Sequence, residues 1–349
     1  MKTDNRAFIV RILLTITISL VIGAFFILLI GESPIEAYIA LVKGAFGSKL
    51  RIGTTLAGFT PLLLTSVAFA VAAKAGAFNV GVEGAVFLGA LVAAYIGINW
   101  TFLPKPILLI ACFLGAILTG AIWSLIPALL KVYYNVNEVT VTILANSVAL
   151  YITSYFVSGP MSAGGTVSQS HPVTVTLPKI MFPSNANAGL FIALAITICL
   201  HFYLKKSKYG IKLSFTGTNS LNAEYAGMNP KKVIIYSMMI SGALGGIAGC
   251  IEVLGVHGVF LNNFAVGLGT NGMLASLIVK NNLVAVPFMA FFLATLNAGA
   301  MGIQQNTNVP KSIVDTIIAI FILIATMDGI IAYVKNRRLK KTNKTEVTR

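Results

Sequence analysis

Few residues in this chain could do chemistry, and most of them stand where an apolar run is interrupted. The stretch AFNVGVEGAVFLGA, residues 77–90, holds Asn79 and Glu83 beside Gly81 and Gly84, with Gly76 just before it. A carboxylate at the centre of a membrane costs on the order of 3 kcal/mol, so Glu83 has to face protein, a water-filled cavity or the interface. Two uses are open to the pair. Either the glycines let the backbone turn tightly while Asn79 or Glu83 caps the amides that open the next helix, or the same groups meet a substrate. The stretch NEVTVTILANSVAL, residues 137–150, adds Glu138, Thr142 and Asn146 at intervals of four, a single helix face that must meet protein or water rather than lipid. Hydrogen bonding to a neighbouring helix and a transport path both fit Asn146, whereas Glu138 at the helix start reads as glue or a cap. A third polar break, Thr270 and Asn271 between Gly269 and Gly272, offers either free amides beside a cavity or a tight turn.

Nucleophilic and metal chemistry find no support in the residues. His171, His201 and His257 have no nucleophile or acid at a recognisable spacing and read as surface or interfacial groups. Cys112, Cys199 and Cys250 lie in apolar runs without metal-ligand spacing and read as small buried fillers. No glycine–lysine–serine or glycine–lysine–threonine sequence is present, so whatever energises the protein is bound elsewhere.

The elements that must position these polar groups are apolar. Of the 349 residues 57% are hydrophobic and 10% charged, with a mean hydropathy of +0.87. One soluble core could not hide that much apolar surface, so the chain reads as an all-α, polytopic membrane helical bundle. Apolar runs place about ten helices, near 8–30, 52–74, 84–98, 106–131, 137–158, 188–204, 233–256, 265–279, 284–302 and 311–334. The first is a retained span and not a signal peptide, and the segment IEAYIALVKGAFG after it reads as a short interfacial helix. Spans as short as 84–98 and 265–279 survive at membrane depth only if neighbouring protein shields their ends. Ser241, Gly245 and Gly249, with Gly242 and Gly246, make a small-residue face suited to close helix packing. The loop 159–187, rich in Gly, Ser, Thr and Pro, reads as an exposed extracellular connection.

The net charge of +15 is spread over short loops and tails, which is topology control and excludes a nucleic-acid face. With ten spans, 19 of the 25 lysines and arginines fall on the side of both tails, so both termini are expected in the cytoplasm. The expected organisation is one transmembrane domain over 1–349, with a cytoplasmic loop at 205–232 and a basic cytoplasmic tail at 335–349. The loop, KKSKYGIKLSFTGTNSLNAEYAGMNPKKV, carries two helix signals. Asn219 or Ser220 can cap a short helix over Leu221 to Ala226 that stops at Gly227, and Asn229 caps the next span with Pro230 at its first position. Such a helix suits docking to a partner; alternatively the lysines pin the loop to anionic membrane lipid.

Three stretches, FNVGVEGAVFLGA, NEVTVTILANSVALY and GTNSLNAEYAGMNPKKV, occur in an order that resembles the permeases of bacterial ABC importers for nucleosides, simple sugars and branched-chain amino acids. The resemblance runs from about residue 50 to 335 and is nearest the nucleoside type. It implies a permease in the bacterial cytoplasmic membrane, paired with itself or a second permease above two ATP-binding subunits and fed by an extracellular or lipid-anchored binding protein. It also implies no cofactor on this chain, since ATP and Mg would be used by the partner subunits, and no enzyme activity of its own. Carried onto this sequence, Ser220, Leu221, Asn222, Ala223, Glu224, Tyr225, Ala226 and Gly227 would couple to the ATPases. Phe78, Asn79, Glu83 and Gly84 would form the motif between the second and third spans, and Thr142, Asn146, Thr270 and Asn271 would lie near the path. Two departures stand, Ala85 where the family often has glutamine and GMLASLIVKNNL in place of an apolar run ending in asparagine–proline. The expected substrate is a nucleoside, with a sugar such as ribose as the alternative. From a different class, an ion-gradient carrier would work through Glu83, Glu138 or Asp315.

Overall fold

The computed structural model describes residues 5–307 and 309–326, so the basic tail 335–349 lies outside the described residues. The elements run α1 (Asn5–Leu29), α2 (Pro34–Phe46), α3 (Lys49–Lys74), α4 (Val82–Asn99), α5 (Lys105–Tyr134), α6 (Glu138–Ser158), α7 (Gly189–Lys206), α8 (Lys208–Thr218), α9 (Ser220–Tyr225), α10 (Pro230–Ile251), α11 (Leu268–Ile278), α12 (Val286–Asn306) and α13 (Lys311–Thr326). A π-helical turn, Glu252–His257, continues α10. Each of the ten expected segments falls on a helix, the last of them described only as far as Thr326. Among the described residues seven helices are long and apolar enough to cross a membrane, and the pair Thr17–Leu29 and Pro34–Phe46, bent by 117°, makes an eighth if counted as one span. The expected number is higher because α11 has only 11 residues and the described part of α13 only 16, both short of the roughly 20 that cross a bilayer.

The described residues up to Ala45 and from Leu296 onward form one compact unit and Phe46–Thr295 another. Within the first, α1 lies against α13, and Tyr38 of α2 donates its hydroxyl to the Leu20 carbonyl of α1. Gly44 of α2 approaches Gly302 of α12 so closely that an added Cβ would stand 2.6 Å from the Gly302 Cα.

The second unit is built round α3, α4 and α10, whose faces are largely buried on all sides. The small residues of α10 explain how. A Cβ on Gly249 would lie 2.0 Å from the Val86 carbonyl of α4, and one on Gly246 would lie 2.1 Å from the Ala116 carbonyl of α5. Backbones meet here with no side chain between them, the packing expected of that face. Around this core α5 shows Ile107, Ile110, Leu114, Leu118, Ile122 and Ile126 at the surface, an apolar stripe at helical spacing. Large apolar groups on the outside and small ones inside suit a hydrocarbon solvent, where burial of leucine brings no gain and close backbone contact does.

Two expectations change. Cys112 and Cys250 are buried but Cys199 is exposed, because it falls on the outward face of α7. The loop 159–187 is only partly exposed. Val173, Val175 and Leu177 alternate inward, and the chain is tied down by Val173 N to Gly258 O at 2.9 Å and Leu177 N to Leu254 O at 2.7 Å.

Gly246→Val should therefore destabilise the protein by about 1–3 kcal/mol or more through overpacking. Gly58→Ala, where an added Cβ meets nothing within 4 Å, should leave thermal unfolding in detergent unchanged or slightly raised, since alanine is the better helix former.

Candidate translocation site and coupling loop

The chain changes direction between α3 and α4, and the polar residues collect there. After Lys74, Gly76 adopts φ +78°, a left-handed conformation that a side chain would strain. Ala77 then packs among Ala128 of α5 and Met238 of α10, and the Phe78 ring, partly exposed, meets Phe69 edge to face at 5.8 Å. Asn79 is fully buried. Its Nδ2 donates to Ser241 Oγ of α10 at 3.0 Å and to Ser124 Oγ of α5 at 3.3 Å, while its Oδ1 accepts from Gly81 N at 3.1 Å. One carboxamide thus joins two helices to the turn.

Helix α4 opens at Gly81 with no side-chain cap of its own. The cap comes from another helix. Asn146 Oδ1 of α6 accepts from Gly84 N at 2.8 Å, and Asn146 Nδ2 donates to Val80 O at 3.0 Å. Of the two residues expected to cap α4, Asn79 serves Gly81, whereas Glu83 caps nothing. Among the described residues its Oε2 is enclosed without a hydrogen-bond partner, as is Trp123 Nε1 beside Gly84.

The stripe on α6 meets protein along its length. Glu138 Oε1 accepts from Phe78 N at 3.4 Å and from Lys131 Nζ of α5. Buried Thr142 stands against Gly81, where an added Cβ would lie 3.0 Å from the Thr142 Cβ. Its hydroxyl donates to its own helix at Glu138 O, 2.7 Å away. Glu138, Thr142 and Asn146 therefore follow the chain from Phe78 to Gly84, one residue per step of the turn. Asn137, and not Glu138, caps α6, accepting from Val139 N at 2.9 Å.

Thr270 and Asn271 lie in the first turn of α11, whose opening residue Gly267 has φ +82° and no side-chain cap. They do not join Asn79 or Asn146. Their link to the break is Glu83, since an added Cβ on Gly269 would lie 2.7 Å from the Glu83 Cβ. Thr270 is exposed and Asn271 half-buried. Further along, Phe264 meets Phe87 of α4 edge to face at 5.5 Å and His257 at 5.8 Å. His257 Nε2 stands 3.2 Å from Glu252 Oε2. This pair escapes a search at helical spacing because the two residues are five apart, and only a π-helical turn puts them on one face.

In the loop 205–232, α9 spans Ser220–Tyr225, with Asn219 as its cap, accepting from Asn222 N at 3.1 Å. Gly227, at φ +75°, ends the motif. Ala223 is fully buried, while Leu221 and Tyr225 are 64% and 89% exposed, so this short helix is anchored by one face and offers a leucine and a tyrosine on the other. Ser220, Asn222, Glu224 and Ala226 are exposed beside them. Asn229 caps α10, accepting from Lys232 N at 3.0 Å. Helix α8 adds to the two helix signals of this loop: KYGIKLSFTGT is poor in strong helix formers, and it is held by its Ser207 cap and by packing.

Replacing Asn146 by leucine orphans the Gly84 amide and the Val80 carbonyl at about 1–3 kcal/mol each. Hydrogen exchange across 80–85 should accelerate about ten-fold or more in Asn146→Leu. In Thr270→Ala it should stay as in the unmodified protein.

Residues 51–327 match the family described as branched-chain amino acid transport system / permease component. The chain is 34% identical over 340 residues to a guanosine ABC transporter permease of Bacillus subtilis, covering 94% of this chain and 96% of that one. A glucose ABC transporter permease of Haloferax volcanii is 31% identical, over 89% of this chain and 85% of its own. A nucleoside ABC transporter permease of Lactococcus lactis is 28% identical, over 91% of each. The chain belongs to this family and is an ABC transporter permease of the nucleoside and sugar type, a multi-pass membrane transport subunit.

Proposed function

We propose that the chain is the membrane-spanning half of an ATP-driven importer of nucleosides, working by alternating access. The observation that carries this reading is the end-to-end alignment with a guanosine permease at 34% identity. The chemistry of the break supports it. A nucleoside is neutral and presents donors, acceptors and a flat aromatic face, which Thr270, Asn271, Phe78 and Phe264 can meet without a fixed countercharge. Asn79, Thr142 and Asn146 act one step behind, holding the break in which such contacts are made. Glu83, with one enclosed and unpartnered oxygen, is the group that opening the path would release to donors of a substrate or water.

In this reading α9 docks on a cytoplasmic ATP-binding subunit, with ATP and Mg held there and not on this chain. A second permease, identical or related, completes the pore, and a binding protein delivers substrate at the opposite face. Both termini and the lysine-rich loop 205–232 lie in the cytoplasm, as the distribution of basic residues favours. A sugar importer is the second reading, favoured by the glucose permease at 31% identity. An ion-gradient carrier working through Glu138 gains no support, since Glu138 is already tied to Lys131 and to the Phe78 amide; Asp315 is exposed, so that reading would have to run through Glu83.

The test is uptake of labelled nucleosides, ribose and glucose by the complete system. Nucleoside uptake should require ATP and survive collapse of the proton gradient. Leu221→Asp or Tyr225→Asp should lower it about ten-fold or more, as loss of an exposed docking anchor does, without loss of protein from the membrane. Uptake that follows the proton gradient and ignores both substitutions would refute the reading; uptake confined to sugars would move the substrate.

A further inference from the structure

Residues 75–78, the turn between α3 and α4, are gripped from two directions by groups far apart in sequence. On one side Lys131 Nζ of α5 donates to Gly76 O at 3.0 Å and to Glu138 of α6, whose carboxylate also accepts from Phe78 N at 3.4 Å. An ion pair and two backbone contacts thereby tie the ends of two spans to the turn. On the other side stands the end of α8. An added Cβ on Gly217 would lie 2.1 Å from Lys74 O and 3.1 Å from Gly76 N, and one on Gly76 would lie 3.3 Å from the Gly217 Cα. Two backbones touch there with no side chain to absorb movement.

Helix α8 is a stiff arm. Its Ser207 cap accepts from Gly210 N at 3.1 Å, and Leu213 and Thr216 are buried. Tyr209 donates to Val233 O of α10 at 3.4 Å and stacks on Tyr203 of α7 at 6.1 Å. Burial holds the Tyr209 phenol above its usual range, so it stays a protonated donor. Gly217 sits two residues before Asn219, the cap of α9, and Gly76 sits three residues before Asn79. The docking helix and the polar break are thus joined by a close backbone contact at Gly217 and Gly76.

We propose that the Gly217–Gly76 contact, backed by the Lys131–Glu138 pair, is the element through which displacement of α9 moves the helix break at Asn79. Gly217, Lys131 and Glu138 are positioning residues that need touch no substrate. Closely packed backbones pass a displacement from one element to the next, and the ion pair ties the turn to the ends of α5 and α6. The inference rests on the reading that α9 docks on the ATPase subunits.

The experiment uses the complete transporter in proteoliposomes and reads both ATP hydrolysis and uptake of labelled guanosine. Gly217→Val and Lys131→Met should keep their ATPase partners on purification and hydrolyse ATP near the unmodified rate. Uptake per ATP should fall about ten-fold, within the usual range of coupling between sites. Lys131→Arg, which keeps the charge and the donors, should restore the ratio. If both variants keep the unmodified ratio, or if hydrolysis and uptake fall in proportion in an intact assembly, the contact is packing alone and the inference is wrong. Should Gly217→Val fail to assemble, the Lys131→Met and Lys131→Arg pair decides. If the unmodified transporter moves substrate without its ATPases, the importer reading fails instead.

Discussion

A single buried carboxamide holds the membrane core at the place where its path must be interrupted. Asn79 reaches Ser241 on α10, Ser124 on α5 and the Gly81 amide, so three segments meet at one side chain. Without it the reversal between α3 and α4 would leave donors and acceptors unpaired in a place water cannot reach, which costs far more than a hydrogen bond ordinarily contributes. The glycine face of α10 is the companion constraint. It brings the three helices close enough for so short a side chain to span them.

From that point the rest of the unit formed by Phe46–Thr295 follows in order. Asn146 caps α4 from outside because Gly81, at the cap position, has no side chain to reach the Gly84 amide. The α6 stripe then runs beside the turn, and Lys131 neutralises the one acid that this places against backbone amides. Glu83 is the exception. Its backbone packs on Gly269 while its Oε2 is left unpartnered, a local inconsistency of the kind that concentrates at working sites.

Much of this is local and was therefore legible in the sequence. Hydropathy marks the helices, and Asn219, Asn229 and Gly227 mark the ends of α9 and the start of α10, because caps depend on neighbours three residues away. The α6 stripe likewise announced that it must face protein. What it faced was not legible: the partners of Asn79 and Asn146 come from helices 45 to 162 residues away, chosen by packing that no short motif encodes. Helix α8 has weak intrinsic propensity, so only its contacts with α3, α7 and α10 reveal it. The Glu252 and His257 pair was hidden by phase, since five-residue spacing is silent in an α-helix. Cys199 reads as core by composition and faces outward because in lipid an apolar surface carries no penalty.

The central claim, that the polar break borders a path which opens and closes with nucleotide, is tested most directly by thiol accessibility at position 270. Thr270→Cys would be made with the exposed Cys199 replaced by serine, and labelled with a charged thiol reagent in the nucleotide-free and ATP-trapped transporter. The account predicts labelling that changes several-fold between the two states, with no labelling in either for Leu118→Cys on the outward stripe of α5. Equal labelling at 270 in both states, or none in either, would contradict it.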